Sequence, residues 1–260
     1  MNGQFLILGS GASLGVPVMG CSCDVCRSSN PKNKRMRPSA LITVGGKRIL
    51  LDCGPDIRNQ ALAIELEDID GLILTHTHYD HVEGLDELRA FTIKHKRYLP
   101  ALMSEESLAE LKSRFYYIFK YQTSNDIIIT RLDIKTFPEK RGEVDFLGNK
   151  IRYFSFDQIG MQVQGIRLGN LSYVSDIKNY PESIFEDLKG TETLIISALR
   201  FTDSLMHLTV DQAIEFSRKV GAKETWLTHI SHDLDHDRTN AYLPEGIKLS
   251  YDGLELNFRG

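Results

Sequence analysis

The sequence predicts one α/β domain, with sheet inside and helices outside. Short apolar runs of strand character alternate with stretches of helical periodicity over all 260 residues. No low-complexity linker or internal repeat divides them. Several of the apolar runs stop directly on a histidine or an aspartate, as strands that deliver side chains to one edge of a sheet would do.

Residues 5–8 form a short apolar strand that runs into a glycine-rich turn at 9–15. That turn is only loosely like a phosphate loop, because no Gly-Lys-Ser/Thr follows it. Residues 40–44 and 48–52 read as two strands about Gly45-Gly46, a hairpin signal. Residues 71–75 are another strand, ending on His76, and 80–90 read as a helix with Val82, Leu85 and Leu88 on one stripe. The stretch from 92 to 148 divides less readily. Ser104 can cap a helix over 105–119, and 127–134 and 151–156 favour strands. Residues 171–175 form a strand ending at Asp176, and Pro181 suits the first turn of a helix that stops at Gly190. Residues 194–198 are a buried strand. Thr209 and Gln212 make a near capping box on a helix ending near Gly221. A strand at 226–228 delivers His229, and 254–258 closes the chain.

Hydrophobic content of 42% with 25% charged residues is that of an ordinary globular chain. A net charge of -4 and a pI near 6.1 argue against coating nucleic acid by bulk charge. The best local basic run is Lys32, Lys34, Arg35 and Arg37. No apolar stretch reaches the roughly 18–20 residues of a spanning helix, so no membrane partner is expected. Glycine and serine interrupt the apolar N-terminal stretch, which reads as a strand and loop rather than a signal peptide.

His76-Thr77-His78-Tyr79-Asp80-His81 carries the chemistry. Residues two apart in extended chain point the same way, so His76 and His78 can share one metal. Asp80 and His81, where the chain turns into a helix, offer a carboxylate and a third imidazole to a second ion nearby. Nitrogen and oxygen sets of this kind suit zinc, manganese or iron and leave positions open to activate water.

This motif resembles the signature of the metallo-β-lactamase superfamily. The resemblance implies a single domain over 1–260 with an αββα sandwich fold and a two-metal site at one edge. Leu51-Asp52-Cys53-Gly54 is similar to the family's second motif, and Tyr173-Val174-Ser175-Asp176 to the strand bearing a bridging aspartate. Thr228-His229-Ile230-Ser231-His232 is similar to the segment that gives the last metal histidine. By that carry-over one metal takes His76 and His78, the other takes Asp80, His81 and His229, and Asp176 bridges them. The family supplies a further histidine to the first metal, where this chain has Gln158, with Asp157 as the weaker candidate. A glutamine carbonyl is a poor ligand beside an imidazole, so the expected first site is weak, filled by a harder ion such as manganese, or empty.

Cys21, Cys23 and Cys26 crowd into six residues, with Cys53 far from them. This is a poor disulfide framework and a good metal framework, which places the chain in a reducing cytoplasm. A structural zinc needs four ligands. Cys53 reads as a small hydrophobe in a buried strand, so His232, three residues after His229, is the better fourth ligand for a zinc-binding loop at 20–27. The cluster resembles that of the phosphodiesterase subgroup typified by the carbon–phosphorus lyase pathway, and a protein of pyrroloquinoline quinone synthesis has a similar loop.

The subgroup resemblance implies hydrolysis of small or cyclic phosphodiesters through a metal-bound hydroxide, with a small phosphodiester as partner. His207 matches the subgroup's catalytic histidine and is the candidate general acid, with Asp80 the other candidate catalytic residue. His95 and His236 read as surface residues, and Asp56 and Arg58 as loop ion pairs or pocket lining. An RNA-processing nuclease remains the alternative, with the basic run as its only RNA-holding feature. A non-hydrolytic, metal-stabilised cofactor-pathway protein is the third reading. Monomer and homodimer both stay open.

Overall fold

The computed structural model describes residues 2–123 and 127–260. Met1, and residues 124–126 within the segment that divided poorly, lie outside the described residues. Two seven-stranded sheets pack face to face. The first holds β1 (Asn2–Gly9), β2 (Ser39–Val44), β3 (Lys47–Leu51), β4 (Gly71–Ile73), β5 (Leu99–Met103) and β6 (Leu132–Thr136). The second holds β7 (Arg141–Phe146), β8 (Asn149–Gln158), β9 (Met161–Leu168), β10 (Leu171–Val174), β11 (Thr193–Ser197), β12 (Glu224–Thr228) and β13 (Ile247–Leu249). The last strand, β14 (Glu255–Arg259), returns to pair with β1.

Each sheet begins as an antiparallel meander and continues as parallel strands. In the first, β1, β2 and β3 are antiparallel and β3 to β6 are parallel. In the second, β7 to β10 are antiparallel and β10 to β13 are parallel. Ile42, Ile49 and Ile73 of one sheet meet Tyr153, Ile166 and Ile195 of the other in a shared core, where Phe5 stacks on Tyr173 at 5.8 Å. Fully burying one such side chain contributes about 1.5–3 kcal/mol.

Helices cover both outer faces. α1 (Asp24–Arg27) belongs to the cysteine loop. α2 (Ile57–Ala63), α3 (Tyr79–Val82), α4 (Arg89–Lys94), α5 (Glu105–Arg114) and α6 (Tyr116–Lys120) lie over the first sheet, sealing Leu50, Leu72 and Leu74. α7 (Ile184–Asp187) and α8 (Val210–Val220) lie over the second, sealing Ile196 and Leu227, and α9 (His236–Tyr242) packs by β13. The result is the αββα sandwich that the family resemblance implies.

Helix lengths differ from expectation. The stretch read as one helix over 80–90 is α3, a 3₁₀ turn at Leu85–Leu88 and α4. Gly84 interrupts it because its amide bonds to the Cys53 carbonyl at 2.8 Å, and a side chain there would strike the Gly54 carbonyl at 2.2 Å. Ser104 caps α5 as expected, accepting from Ser107 N, but the helix breaks at Phe115. Pro181 lies outside the short α7. The strand expected over 127–134 begins only at Leu132, where it pairs with Leu99. By contrast, Thr209 and Gln212 form the full capping box on α8, which stops at Gly221 in the left-handed conformation (φ 73°).

Candidate metal centre

The carboxyl ends of the parallel strands converge on one edge of the sandwich, the usual place for a site in open α/β sheets. β4 leads to His76 and His78, β10 to Asp176 and β12 to His229, with α3 carrying Asp80 and His81. Donor atoms of His76, His78 and Asp176 lie within 4.8 Å of one another, as do those of Asp80, His81 and His229. Asp176 also groups with His207 and His229, so it stands between the two sets.

The contacts are close. Asp176 Oδ2 is 3.1 Å from His81 Nε2, and Asp176 Oδ1 is 3.2 Å from His229 Nε2. Asp80 Oδ2 is 3.2 Å from His229 Nε2 and 3.6 Å from His81 Nε2. His76 Nε2 faces His78 Nδ1 at 2.9 Å. His207 stacks on His229 with ring centroids 4.6 Å apart, and its Nδ1 is 3.6 Å from Asp176 Oδ1.

Asp52, which the resemblance put in the family's second motif without naming its task, sets the orientation of His81. Its Oδ2 accepts from His81 Nδ1 at 2.7 Å and from Thr75 Oγ1 at 2.8 Å, and its Oδ1 accepts from Thr75 N at 2.8 Å. With Nδ1 donating, the Nε2 lone pair is turned toward the Asp176 and Asp80 carboxylates. Nε2 and the carboxylate oxygens facing it can share a proton or a cation, and nitrogen and oxygen donors gathered this closely are those that divalent ions take. The donor set therefore fits divalent metal ions.

Burial opposes charge on His81, but Asp176, Asp80 and Asp52 outweigh it and hold its pKa well above the usual histidine range. His229 is raised too, burial again being outweighed by Asp176 and Asp80. Burial would raise the Asp80 carboxyl, yet His81 and His229 hold it well below the carboxylate range. Asp176 behaves alike, with His229 and His81 overcoming burial. His76 and His78 lie on the other side of the balance. Burial lowers both, and repulsion from His81 adds to it. Burial and then His229 pull His207 down to about 4.

Other residues brace the site. Gly54 lies so close to the metal helix that a side chain would meet the Asp80 carbonyl at 1.9 Å, and Cys53 N donates to His81 O at 2.8 Å. Glu110 of α5 accepts from Thr77 Oγ1, and Arg114 donates to Thr77 O and, at 2.8 Å, to Glu83 Oε2. Asp52, Asp176 and His229 all have left-handed backbone, with φ of 59°, 59° and 57°. Strain of this kind concentrates where a site demands it.

Gln158 ends β8, buried. Its Nε2 donates to Met206 O at 2.8 Å, and its Oε1 is buried without a hydrogen-bond partner. Asp157 instead accepts from Gly160 N at 3.1 Å, in the turn.

The cysteine loop closes on His232. Its Nδ1 lies 3.3 Å from Cys21 Sγ, 3.5 Å from Cys23 Sγ and 3.6 Å from Cys26 Sγ. Tetrahedral zinc with ordinary Zn–S and Zn–N bonds would set that S···N edge at about 3.6 Å, so these four donors fit such an ion. Cys53 is fully buried in the core, its thiol pushed well up by burial and then by Asp52. The glycine turn after β1 is not a phosphate loop but a seam. Ile230 N donates to Ser10 O and Ala12 N to Ile230 O, both at 3.0 Å, between His229 and His232.

Of the residues read outside the metal motif, one departs from expectation. His236 is buried, not on the surface: Arg35 Nη2 is 3.2 Å from its Nδ1, and its amide donates to Asn33 Oδ1 at 2.8 Å. His95 is exposed, as expected, and lies 3.4 Å from Asp68. Asp56 takes the loop ion pair of its two readings, accepting from Arg37 N at 2.8 Å and pairing with Arg37 Nε at 3.0 Å.

Comparison with known proteins agrees with this architecture. The model of the Beta-lactamase superfamily domain matches residues 47–230. A solved structure described as a new diphosphatase from the PhnP family is 36% identical, with a TM-score of 0.89, covering 99% of this chain and 98% of that one. An octanoyltransferase of Porphyromonas gingivalis is 36% identical over 255 residues, 96% of this chain and 50% of the relative. The chain thus spans about half the length of that relative. Ribonuclease Z of Methanopyrus kandleri is 25% identical over 266 residues, covering 88% of this chain and 94% of its own length. No described helix is long and apolar enough to cross a membrane. On the sandwich fold, the converging donors and a family match spanning most of its length, the chain belongs to the β-lactamase superfamily, in its metallo-β-lactamase form.

Proposed function

We propose that this metallo-β-lactamase-fold hydrolase cleaves small phosphodiesters, diphosphate diesters included. The observation that carries the reading is His207 against the two-metal donor set, stacked on His229 beside Asp176. Divalent ions held by His76, His78, Asp80, His81, His229 and Asp176 would stabilise charge on phosphoryl oxygens and lower the pKa of bound water. Asp80, kept ionised by its histidines, would help hold an ion and orient the attacking water, whose proton would pass to solvent as the ions lower its pKa. His207 protonates the leaving oxygen. Burial and His229 keep it neutral in the free protein, and a phosphate anion arriving beside it moves its pKa back up. Gln158 holds the His207 loop through Met206 and supplies at most a weak carbonyl ligand to the first ion. We assign zinc to Cys21, Cys23, Cys26 and His232, zinc or manganese to the catalytic pair, and a reducing, cytoplasmic setting to those thiols.

The similarity to the PhnP-family diphosphatase supports this class over the nuclease alternative. So does the basic run. Arg35 is buried against Ser10, Ser250 and His236, Arg37 pairs with Asp56, and Lys34 donates to Cys26 O at 3.1 Å. Little of it is left to hold RNA. The acyl transfer in the Porphyromonas relative's name is not carried over, since the chain spans half of that protein.

The test is turnover by purified protein, with added zinc or manganese, of bis-p-nitrophenyl phosphate, 2′,3′-cyclic nucleotides, a dinucleoside diphosphate and a precursor tRNA. Cleavage of the small diesters is expected. Cleavage of tRNA alone would favour the nuclease, and inertness toward all four would end the hydrolase reading. In ion counting by mass spectrometry, Cys23→Ser should remove one zinc and leave the catalytic ions.

A further inference from the structure

The turn between β8 and β9 breaks a backbone rule beside the candidate site. Gln158 pairs with Met161, so only Ile159 and Gly160 form the turn, and both are left-handed, at φ 49° and 83°. Such two-residue turns call for asparagine, aspartate or glycine at the first position. Ile159 is the only β-branched residue with positive φ among the described residues, and for that side-chain type the conformation is strained.

A second hairpin shows what would ordinarily offset the strain. Leu147 and Gly148 join β7 to β8 with φ of 55° and 78°. Leu147 packs on the shared core, close enough to β4 that a side chain on Gly71 would meet its Cδ1 at 2.7 Å. Ile159 has no such compensation, being 62% exposed.

The hairpin tip is anchored on both sides to the site. Gln158 holds Met206 O, next to His207, and Met161 Sδ lies 3.9 Å from Thr77 Oγ1, between His76 and His78. Two more large apolar side chains are exposed next to cluster residues. Leu205, two residues before His207, is 82% exposed, and Tyr79, between His78 and Asp80, is 57% exposed. Each of the three stands within two residues of His78, Gln158 or His207.

We propose that Ile159, with Leu205, is a specificity-determining contact for an apolar ester group on the phosphodiester. The preferred substrate then carries an aryl or alkyl substituent rather than a second charged or sugar group. Strain at the turn is retained because it displays an apolar surface where phosphate is held. This rests on the hydrolytic reading above.

The experiment compares methyl p-nitrophenyl phosphate with phenyl p-nitrophenyl phosphate, which share a leaving group and differ in the retained one. The wild type should favour the phenyl ester in kcat/KM. Ile159→Asn suits the turn, so its Tm should rise while the phenyl-to-methyl ratio falls about tenfold, mainly through KM. Ile159→Val should keep the ratio within about threefold, and Leu205→Ser should lower it without changing Tm. A higher Tm with an unchanged ratio overturns the inference alone. If the wild type cleaves neither ester yet turns over 2′,3′-cyclic nucleotides or a dinucleoside diphosphate, this inference falls alone; inertness toward all of them removes the hydrolytic reading and this one with it. Ile159→Gly, also suited to the turn, serves if the asparagine variant does not fold.

Discussion

The two sheets are built to one plan, yet they spend it differently. In each, the last antiparallel strand is also the first parallel one, and an aspartate with φ 59° follows it closely: Asp52 after β3 and Asp176 after β10. Both carboxylates are buried and both reach His81, from opposite ring nitrogens, at 2.7 Å and 3.1 Å. Asp176 faces the donor cluster, whereas Asp52 is turned back into the fold by Thr75 and acts only through the ring it orients. Equivalent backbone therefore does not imply equivalent chemistry. What decides is whether the neighbouring strand end supplies more ligands or supplies hydrogen-bond donors that use up the oxygens.

Breaking the pair on the metal side should have the larger effect. Asp176→Asn removes charge shared by both donor groups, and kcat on bis-p-nitrophenyl phosphate should fall by about 10³-fold, the scale of several kcal/mol of lost stabilisation. Near-normal kcat with full metal content would refute the bridging assignment. Asp52→Asn should do less, weakening metal affinity by about 10–100-fold as the His81 tautomer loosens. Metal titration checks this, and an effect equal to that of Asp176→Asn would mean the two aspartates are not divided into ligand and orienter.

A smaller effect belongs to the seam that joins the two halves. Arg35 can only donate, so His236 Nδ1 accepts and the ring is neutral in the fold. Burial, then Arg35 and Lys32, lower its pKa from 6.5 to about 4. The unfolded chain takes up this proton near pH 6.5 and the native one only near 4. Its contribution is therefore complete above pH 6.5 and is lost as pH falls through 4. After allowance for solvent screening the loss should be about 1–2 kcal/mol. Urea unfolding at pH 7 and pH 5 should show a decline that His236→Gln reduces, and identical slopes in the two proteins would refute it.

Much of the strand and helix pattern was legible in the sequence, and the run from His76 to His81 declared its chemistry locally. Asp176 and His229, by contrast, joined the donor set only through the family resemblance. The capping box at Thr209 was legible locally too. What was not legible depends on distant pairing. β5 and β13 are short and gain their identity from parallel neighbours, and the alternation of β9, apolar at Met161 and Val163, changes phase at Gly165 to Ile166 and Leu168. The helix over 80–90 read as continuous because its apolar stripe is real. Its interruption comes from Gly54 and Cys53, some thirty residues earlier. Glu110 and Arg114 brace Thr77 from α5, a contact that no periodicity announces.

The separation between the cysteine loop and its histidine has a consequence for biosynthesis. Cys21 and His232 are 211 residues apart in sequence. At ordinary translation rates of about 5–20 residues per second, the three thiols emerge about 10–40 s before their fourth partner exists. For that interval the nascent loop can hold an ion through sulfur alone or be oxidised. Growth under oxidative stress should therefore damage newly made chains at this loop more than finished ones, in which His232 and the Ile230 seam have already closed over it.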